Sequence, residues 1–384
     1  MRVLVAPDKF KGTLTAAEVA GHLVAGLRDA GHGAVELPVA DGGEGTLEAA
    51  LAAGFRRIPV TASGPTGKPV DTAFGLRGGT AVVELAAASG LALADPDPLR
   101  AGSRGTGELL AAALDAGARR IILGLGGSAC TDGGAGLLAA LGARIVDADG
   151  EDLPDGGGAL RDAADVDLRG LDPRLAEVEI VLACDVDNPL LGPHGAAAVY
   201  GPQKGAGPRE VALLDAGLTR FASLVARAPG LSQAEVPVTR ASVGARSAAV
   251  PGAGAAGGVG FAALTVLGAR RRPGIEVVLD LVGFAEHLRG ASLVVTGEGA
   301  LDAQTLHGKA PAGVAAAARA ARVPAIAVCG RCDLDPDVLA HAGLTGAIAL
   351  ADLDPERCLS APGPLLRRIG RGLGTDLEGC FIDL

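Results

Sequence analysis

The sequence predicts an α/β protein with a Rossmann-like parallel-sheet domain and a second, mixed α/β domain inserted into it. Three observations lead there. Short apolar, β-branched runs alternate with helical stretches from Arg2 to Ala53 and again after Glu276, as strands joined by crossover helices do. Between residues 57 and 91 the pattern changes to short strands separated by Gly-Pro-Thr-Gly and Arg-Gly-Gly turns, which implies antiparallel pairing. The chain has 384 residues and is 49% hydrophobic, enough for two sizeable cores. The domains are therefore expected at 1–60 plus 275–384 and at 61–274.

The elements follow in order. Residues 2–6 form a first strand that ends at Pro7-Asp8, and Lys9-Phe-Lys-Gly-Thr13 fills the loop after it. Thr15 with Glu18 three residues later is a capping-box pattern, opening a helix that runs to about Ala30. Val35 to Val39 is a second strand, and it delivers the loop Asp41 to Thr46 and a helix from Leu47 to Ala53. Ile58 to Thr61, Pro69 to Phe74 and Thr80 to Leu85 are the turn-linked strands. Ser103 to Glu108 opens the next helix, and Ile121 to Leu123 is a buried strand that feeds the glycine-rich run Gly124 to Gly136. Glu179 to Ala183 is a strand leading into Cys184-Asp-Val-Asp-Asn-Pro189. Residues 247–269 carry no charge, but their glycines and Pro251 read as a buried loop followed by a helix from about Phe261, not as a membrane span. Leu293 to Thr296 and Ala325 to Val328 return to the parallel pattern.

Composition excludes several classes. A net charge of −10 and a pI near 5.1 argue against nucleic acid or an anionic membrane as the partner. Aromatics are 2% of the chain, so Ala, Val and Leu must build the cores. The six cysteines show no disulfide framework, Cys329-Gly-Arg-Cys332 has no second pair to complete a zinc site, and no secretory signal is visible. A reducing cytoplasm is the expected compartment. Of 34 basic residues only five are lysines, Lys9, Lys11, Lys68, Lys204 and Lys309, and all but Lys9 adjoin a glycine. A compact ammonium beside bare backbone suits phosphate.

Five strand ends share one vocabulary of glycine, an acid and often a lysine. They are Asp8 to Lys11, Asp41-Gly42-Gly43-Glu44, Gly126-Gly127-Ser128 with Asp132-Gly133-Gly134, Asp185 to Pro189 with Asn188, and Gly297-Glu298-Gly299 with Asp302. Ligands of open α/β sheets bind beyond the carboxyl ends of the strands. Glycines there let N–H groups converge on an anion, and the helix after Gly134 adds its positive end. Lysines beside acids and such backbone are the parts phosphoryl transfer uses. Asp132 could hold Mg²⁺. Asp185 is expected near the substrate hydroxyl, as metal ligand or proton acceptor, with Asp132 and Asp41 as alternatives. Lys9 and Lys11, two apart in an extended loop, would face one anion, and Lys204 and Lys309 would add to the same positive ring. Histidine pairs with metal spacing, H-E-x-x-H and G-x-S-x-G are all missing.

Ala6 to Ala16, Val39 to Thr46, Ser103-Arg104-Gly-Thr106-Gly-Glu108, Gly126 to Gly134, Ala183 to Pro189, Gly201 to Gly205, Pro251 to Gly258, Gly297 to Asp302 and His307-Gly-Lys309 resemble, in order, motifs of the bacterial type 1 glycerate kinases. The resemblance covers residues 3 to about 310. It implies ATP-dependent, Mg²⁺-assisted phosphorylation of D-glycerate, with 2-phosphoglycerate favoured as product, in a cleft between two α/β domains. It also adds Ser103, Arg104 and Thr106 to the binding residues. The 3-phosphate as product, or a non-catalytic regulator on the same fold, are the alternatives, and a monomer or homodimer is compatible. Two departures stand out: Ala300 occupies a place usually held by Arg, and the segment from about Pro237 to Val250 is longer than usual.

Overall fold

The computed structural model describes residues 1–231, 247–306 and 308–376, so His307, Cys380 and most of the segment from Pro237 to Val250 lie outside the described residues. The chain divides into two compact units, Met1–Phe55 with Pro273–Leu384, and Arg56–Arg272. In chain order the first unit begins with β1 (Arg2–Pro7) and β2 (Gly33–Glu36). The second contributes β3 (Arg56–Ser63), β4 (Pro69–Arg77), β5 (Thr80–Glu84), β6 (Arg120–Gly124), β7 (Arg144–Val146), β8 (Asp165–Asp167), β9 (Glu179–Ala183) and β10 (Arg270–Arg272). The first resumes with β11 (Leu293–Gly297), β12 (Ala300–Leu301), β13 (Ala325–Cys329), β14 (Arg331–Cys332) and β15 (Ala347–Ala349).

The first unit is built on a five-stranded, wholly parallel sheet in the order β15-β13-β11-β1-β2. Alternation along β1 explains why helices cover both faces: Val3 and Val5 enter one core, Leu4 and Ala6 the other, and all four are fully buried. The helix Ala16–Asp29 starts from Thr15, whose side chain accepts the Glu18 N–H while Glu18 reaches back to the Thr15 backbone. It packs on the helix Pro362–Asp376 so closely that a Cβ on Gly26 would come 2.1 Å from the Arg367 carbonyl oxygen. Asp29 holds both Arg367 and Arg371 at 2.8 Å, tying the last described helix to the first.

The second unit carries a six-stranded mixed sheet in the order β10-β9-β6-β5-β4-β3. β3, β4 and β5 are antiparallel, and β5, β6, β9 and β10 run parallel. The switch occurs at β5, where turn-linked strands give way to strands followed by helices. Its core is aliphatic, with Phe74, Phe221 and Phe261 as its largest fully buried rings. The uncharged stretch ends in the helix Ala255–Thr265, and among the described residues no helix is long and apolar enough to cross a membrane.

Candidate active site

In the first unit, loops following β1, β2 and β11 gather acids and lysines at the carboxyl edge of the sheet. The Asp8 N–H donates to the Gly297 carbonyl at 2.8 Å, and the Val39 N–H to that of Pro7, so the three loops start side by side. Asp8 is 6% exposed. Its Oδ1 accepts the Lys9 N–H at 2.6 Å, and the Lys9 ammonium stands 3.9 Å away while donating to the Glu44 carbonyl. Burial pushes the Asp8 carboxyl up to about 7; Lys9 pulls it down, and the negative charges of Asp41 and Glu298 push it up. Glu298 is also buried, and burial raises its carboxyl, opposed by a 2.6 Å hydrogen bond from Thr305 and by Lys309 at 3.4 Å. Asp41 accepts the Gly43 N–H, which fixes the glycine turn after β2. Gly297 is obligatory at the end of β11, because a Cβ there would sit 1.8 Å from the Val328 carbonyl oxygen.

In the second unit the loop after β6 is the centre. Gly127 takes a left-handed φ of +72° and is exposed. The N–H groups of Gly126, Gly127 and Ser128 donate to no acceptor among the described residues. The loop is pinned to the short helical turns after β5 by Leu91 N–H to the Gly127 carbonyl and Ala129 N–H to that of Ser89. Behind it lies Lys204, 1% exposed, whose ammonium donates to Ser128 Oγ at 2.9 Å and to the Cys130 carbonyl. Free N–H groups backed by a buried ammonium form an anion-binding concavity.

Asp132 faces inward. It is fully buried, and its oxygens accept from Ser103 N–H and Oγ, Gly134 N–H and Gly136 N–H, at 2.8 to 3.2 Å. Burial raises its carboxyl and these hydrogen bonds lower it, with burial the larger effect. Ser103 Oγ in turn accepts the Leu137 N–H, so the carboxylate and the serine together anchor the loop to two helices. Thr106 donates to Ser89, and Arg104 pairs with Asp155 at 2.6 Å. Asp185, beyond β9, is exposed. Asn188 is engaged by Tyr200 on its oxygen and His194 on its nitrogen.

The sequence profile of the Glycerate kinase family matches residues 3–376. The chain is 45% identical over 367 residues to a glycerate kinase of Bacillus subtilis, covering 92% of each chain. It is 43% identical to a glycerate 2-kinase of Escherichia coli over 91% of this chain and 90% of that one. The chain belongs to the glycerate kinase family. Among solved structures it superposes on one described as a glycerate kinase 2 from Salmonella typhimurium LT2 with a TM-score of 0.83 and 42% identity, over 99% of this chain and 98% of that one. It is thus an enzyme of a kinase family whose acceptor is an alcohol.

Within this glycerate kinase fold several sequence expectations change. Asp132 does not fit a metal ligand or a reacting acid, because four internal donors occupy its oxygens and no surface reaches it. Lys204 is not an open-loop cation but a buried one, tucked behind the loop by the turn Pro202–Lys204. Lys9 and Lys11 do not lie in an extended loop: the chain closes a tight turn through Thr13 and Leu14 N–H to the Phe10 carbonyl, Lys9 donates to the Glu44 carbonyl, and Lys11 is exposed. Gly133 and Gly134 are glycines for packing: a Cβ would meet the Phe221 ring at 2.9 Å and the Ala262 methyl at 2.4 Å. Gly42 lies in the turn held by Asp41, Gly299 lies against the Lys11 backbone, and Asp302 accepts the Gln304 N–H. Asp8 has no role of its own among the sequence expectations, which favour the lysines beside it. The signal that marks it is an acid placed directly after the first strand of a parallel sheet.

Proposed function

We propose that the chain is a glycerate kinase that transfers the terminal phosphoryl group of ATP to the 2-hydroxyl of D-glycerate, acting in the cytoplasm. Supporting this are a whole-chain relationship to named glycerate kinases and the acids, lysines and glycine loops at the strand ends. Phosphoryl transfer is mainly a matter of positioning and charge neutralisation. The Gly126–Ser128 loop with Lys204 behind it suits a phosphate, and Lys9, Lys11 and Lys309 supply local positive charge in a protein of net charge −10. Arg104 is partly held by Asp155, while Ser103 and Thr106 are buried and hydrogen-bonded to Asp132 and Ser89, so they act on the loop and not on a ligand.

Mg²⁺ would enter with the nucleotide. Among the described residues no three His, Cys, Asp or Glu side chains converge to hold a metal ion. That fits a cation carried mainly by phosphates and water, with one or two carboxylates completing its shell. The exposed carboxylate of Asp185 is suited to that role. Bound there, the metal would neutralise charge on the transferring group. A coupled assay for ADP release with D-glycerate tests the reading, and ³¹P NMR of the product assigns the hydroxyl. No ADP release above background from folded protein would refute it.

A further inference from the structure

A kinase of a hydroxy acid must remove the hydroxyl proton as the new oxygen–phosphorus bond forms, and the first unit contains a carboxyl group placed for that. Asp8 follows β1 directly, where side chains meet the ligand edge of a parallel sheet. It is more than nine-tenths buried, with Oδ1 taken by the Lys9 N–H and Oδ2 accepting from no donor among the described residues. A largely buried carboxylate with one oxygen satisfied and the other without a donor is oriented yet able to accept a proton. Its backbone is fixed by the 2.8 Å bond to Gly297. The charged groups facing it come from every neighbouring loop: Lys9 beside it, Asp41 after β2 and Glu298 after β11, with Lys309 on Glu298.

Resting on the glycerate kinase reading, we propose that Asp8 is the proton acceptor for the substrate hydroxyl. The O–H bond breaks and its proton passes to Oδ2. The freed oxygen bonds to the terminal phosphorus of ATP, and the bond from that phosphorus to the bridging oxygen breaks, leaving ADP. The proton then returns to solvent. Burial and the two neighbouring acids hold this carboxyl near 7, so that it is basic enough to take a proton and still largely ionised just above neutrality. Asp132, whose oxygens are all engaged, has no such capacity.

The test compares wild type with Asp8→Asn and Asp8→Glu. Wild-type kcat/KM should fall below an apparent pKa near 7. The terminal phosphate of the nucleotide titrates in the same range, so the variants decide the assignment. Asp8→Asn keeps the shape and the bond from Lys9; it should lower kcat by about 10²–10⁴-fold, leave KM for D-glycerate within a few-fold and remove the protein's part of the acid limb. Asp8→Glu should retain partial activity with a displaced limb, and it serves as the decisive variant if Asp8→Asn does not fold. Near-normal kcat in folded Asp8→Asn, or an unmoved limb in Asp8→Glu, overturns the proposal. Wild type inactive on D-glycerate would instead refute the substrate reading.

Discussion

Two aspartates with similar burial do opposite things, and the difference lies in how many donors each meets. Asp132 meets four and is satisfied; Asp8 meets one backbone N–H, with the Lys9 ammonium 3.9 Å away and two like charges nearby. A carboxyl whose folded pKa is raised from 3.8 to about 7 binds its proton more tightly in the folded state. Its ionisation therefore weakens the fold progressively as pH rises from about 4 through 7. Each tenfold difference in proton affinity between folded and unfolded chain is worth about 1.4 kcal/mol. Asp8→Asn should therefore be the more stable protein at pH 8, by a few kcal/mol at most, and the gain should vanish near pH 4. Thermal melts at the two pH values check this. Asp132→Asn should instead be destabilising, because it sets an amide NH₂ against N–H and O–H donors at a cost of about 1–3 kcal/mol, offset only in part at pH 8 by the raised Asp132 carboxyl. Its Mg²⁺ requirement should stay unchanged, whereas Asp185→Asn should need more Mg²⁺. Mg²⁺ titrations of activity beside melting curves separate the two roles.

At the scale of elements, the helix Ala16–Asp29 shows how glycine identity depends on what lies opposite. Gly26 faces the helix Pro362–Asp376 at a distance that admits no Cβ, and Gly370 answers it, 2.3 Å from the Leu23 carbonyl oxygen for the same added atom. Gly21, on the same helix, has nothing within 4 Å of its would-be Cβ. Gly26→Ala should therefore wedge the pair apart and cost about 1–3 kcal/mol. Gly21→Ala should stabilise by roughly 0.5–1 kcal/mol by relieving helix entropy. Urea denaturation of both variants reads the contrast; equal effects would show that the contact is not tight in solution.

At the scale of the molecule, the order of strands determines which pieces can stand alone. The first unit's sheet needs β1 and β2 from one end of the chain and β11, β13 and β15 from the other. The second unit's six strands all come from the continuous span Arg56–Arg272, which also contains its own aliphatic core. A fragment of residues 56–272 should accordingly fold and melt cooperatively by itself, while residues 1–55 alone should not, since β1 would lose its β11 neighbour and the larger part of the layer that covers Leu4 and Ala6. Circular dichroism of the two fragments tests this, and a non-cooperative melt of the longer one would contradict it.

Local chemistry alone determined much of this. The capping box at Thr15, the strands ending at Pro7, Gly124, Ala183 and Gly297, and the change from parallel to antiparallel pattern depend on neighbours a few residues apart, so periodicity and turn residues suffice to read them. The glycine-rich loop was legible as a loop for the same reason. What its side chains face was not. Whether Asp132 meets Mg²⁺ or Ser103, whether Lys204 meets solvent or Ser128, and whether Gly134 admits a ligand or Ala262 are decided by segments roughly 30 to 130 residues away. Burial converts an acid into a structural acceptor or a proton carrier according to the donors that reach it, and only the folded chain brings those donors into reach.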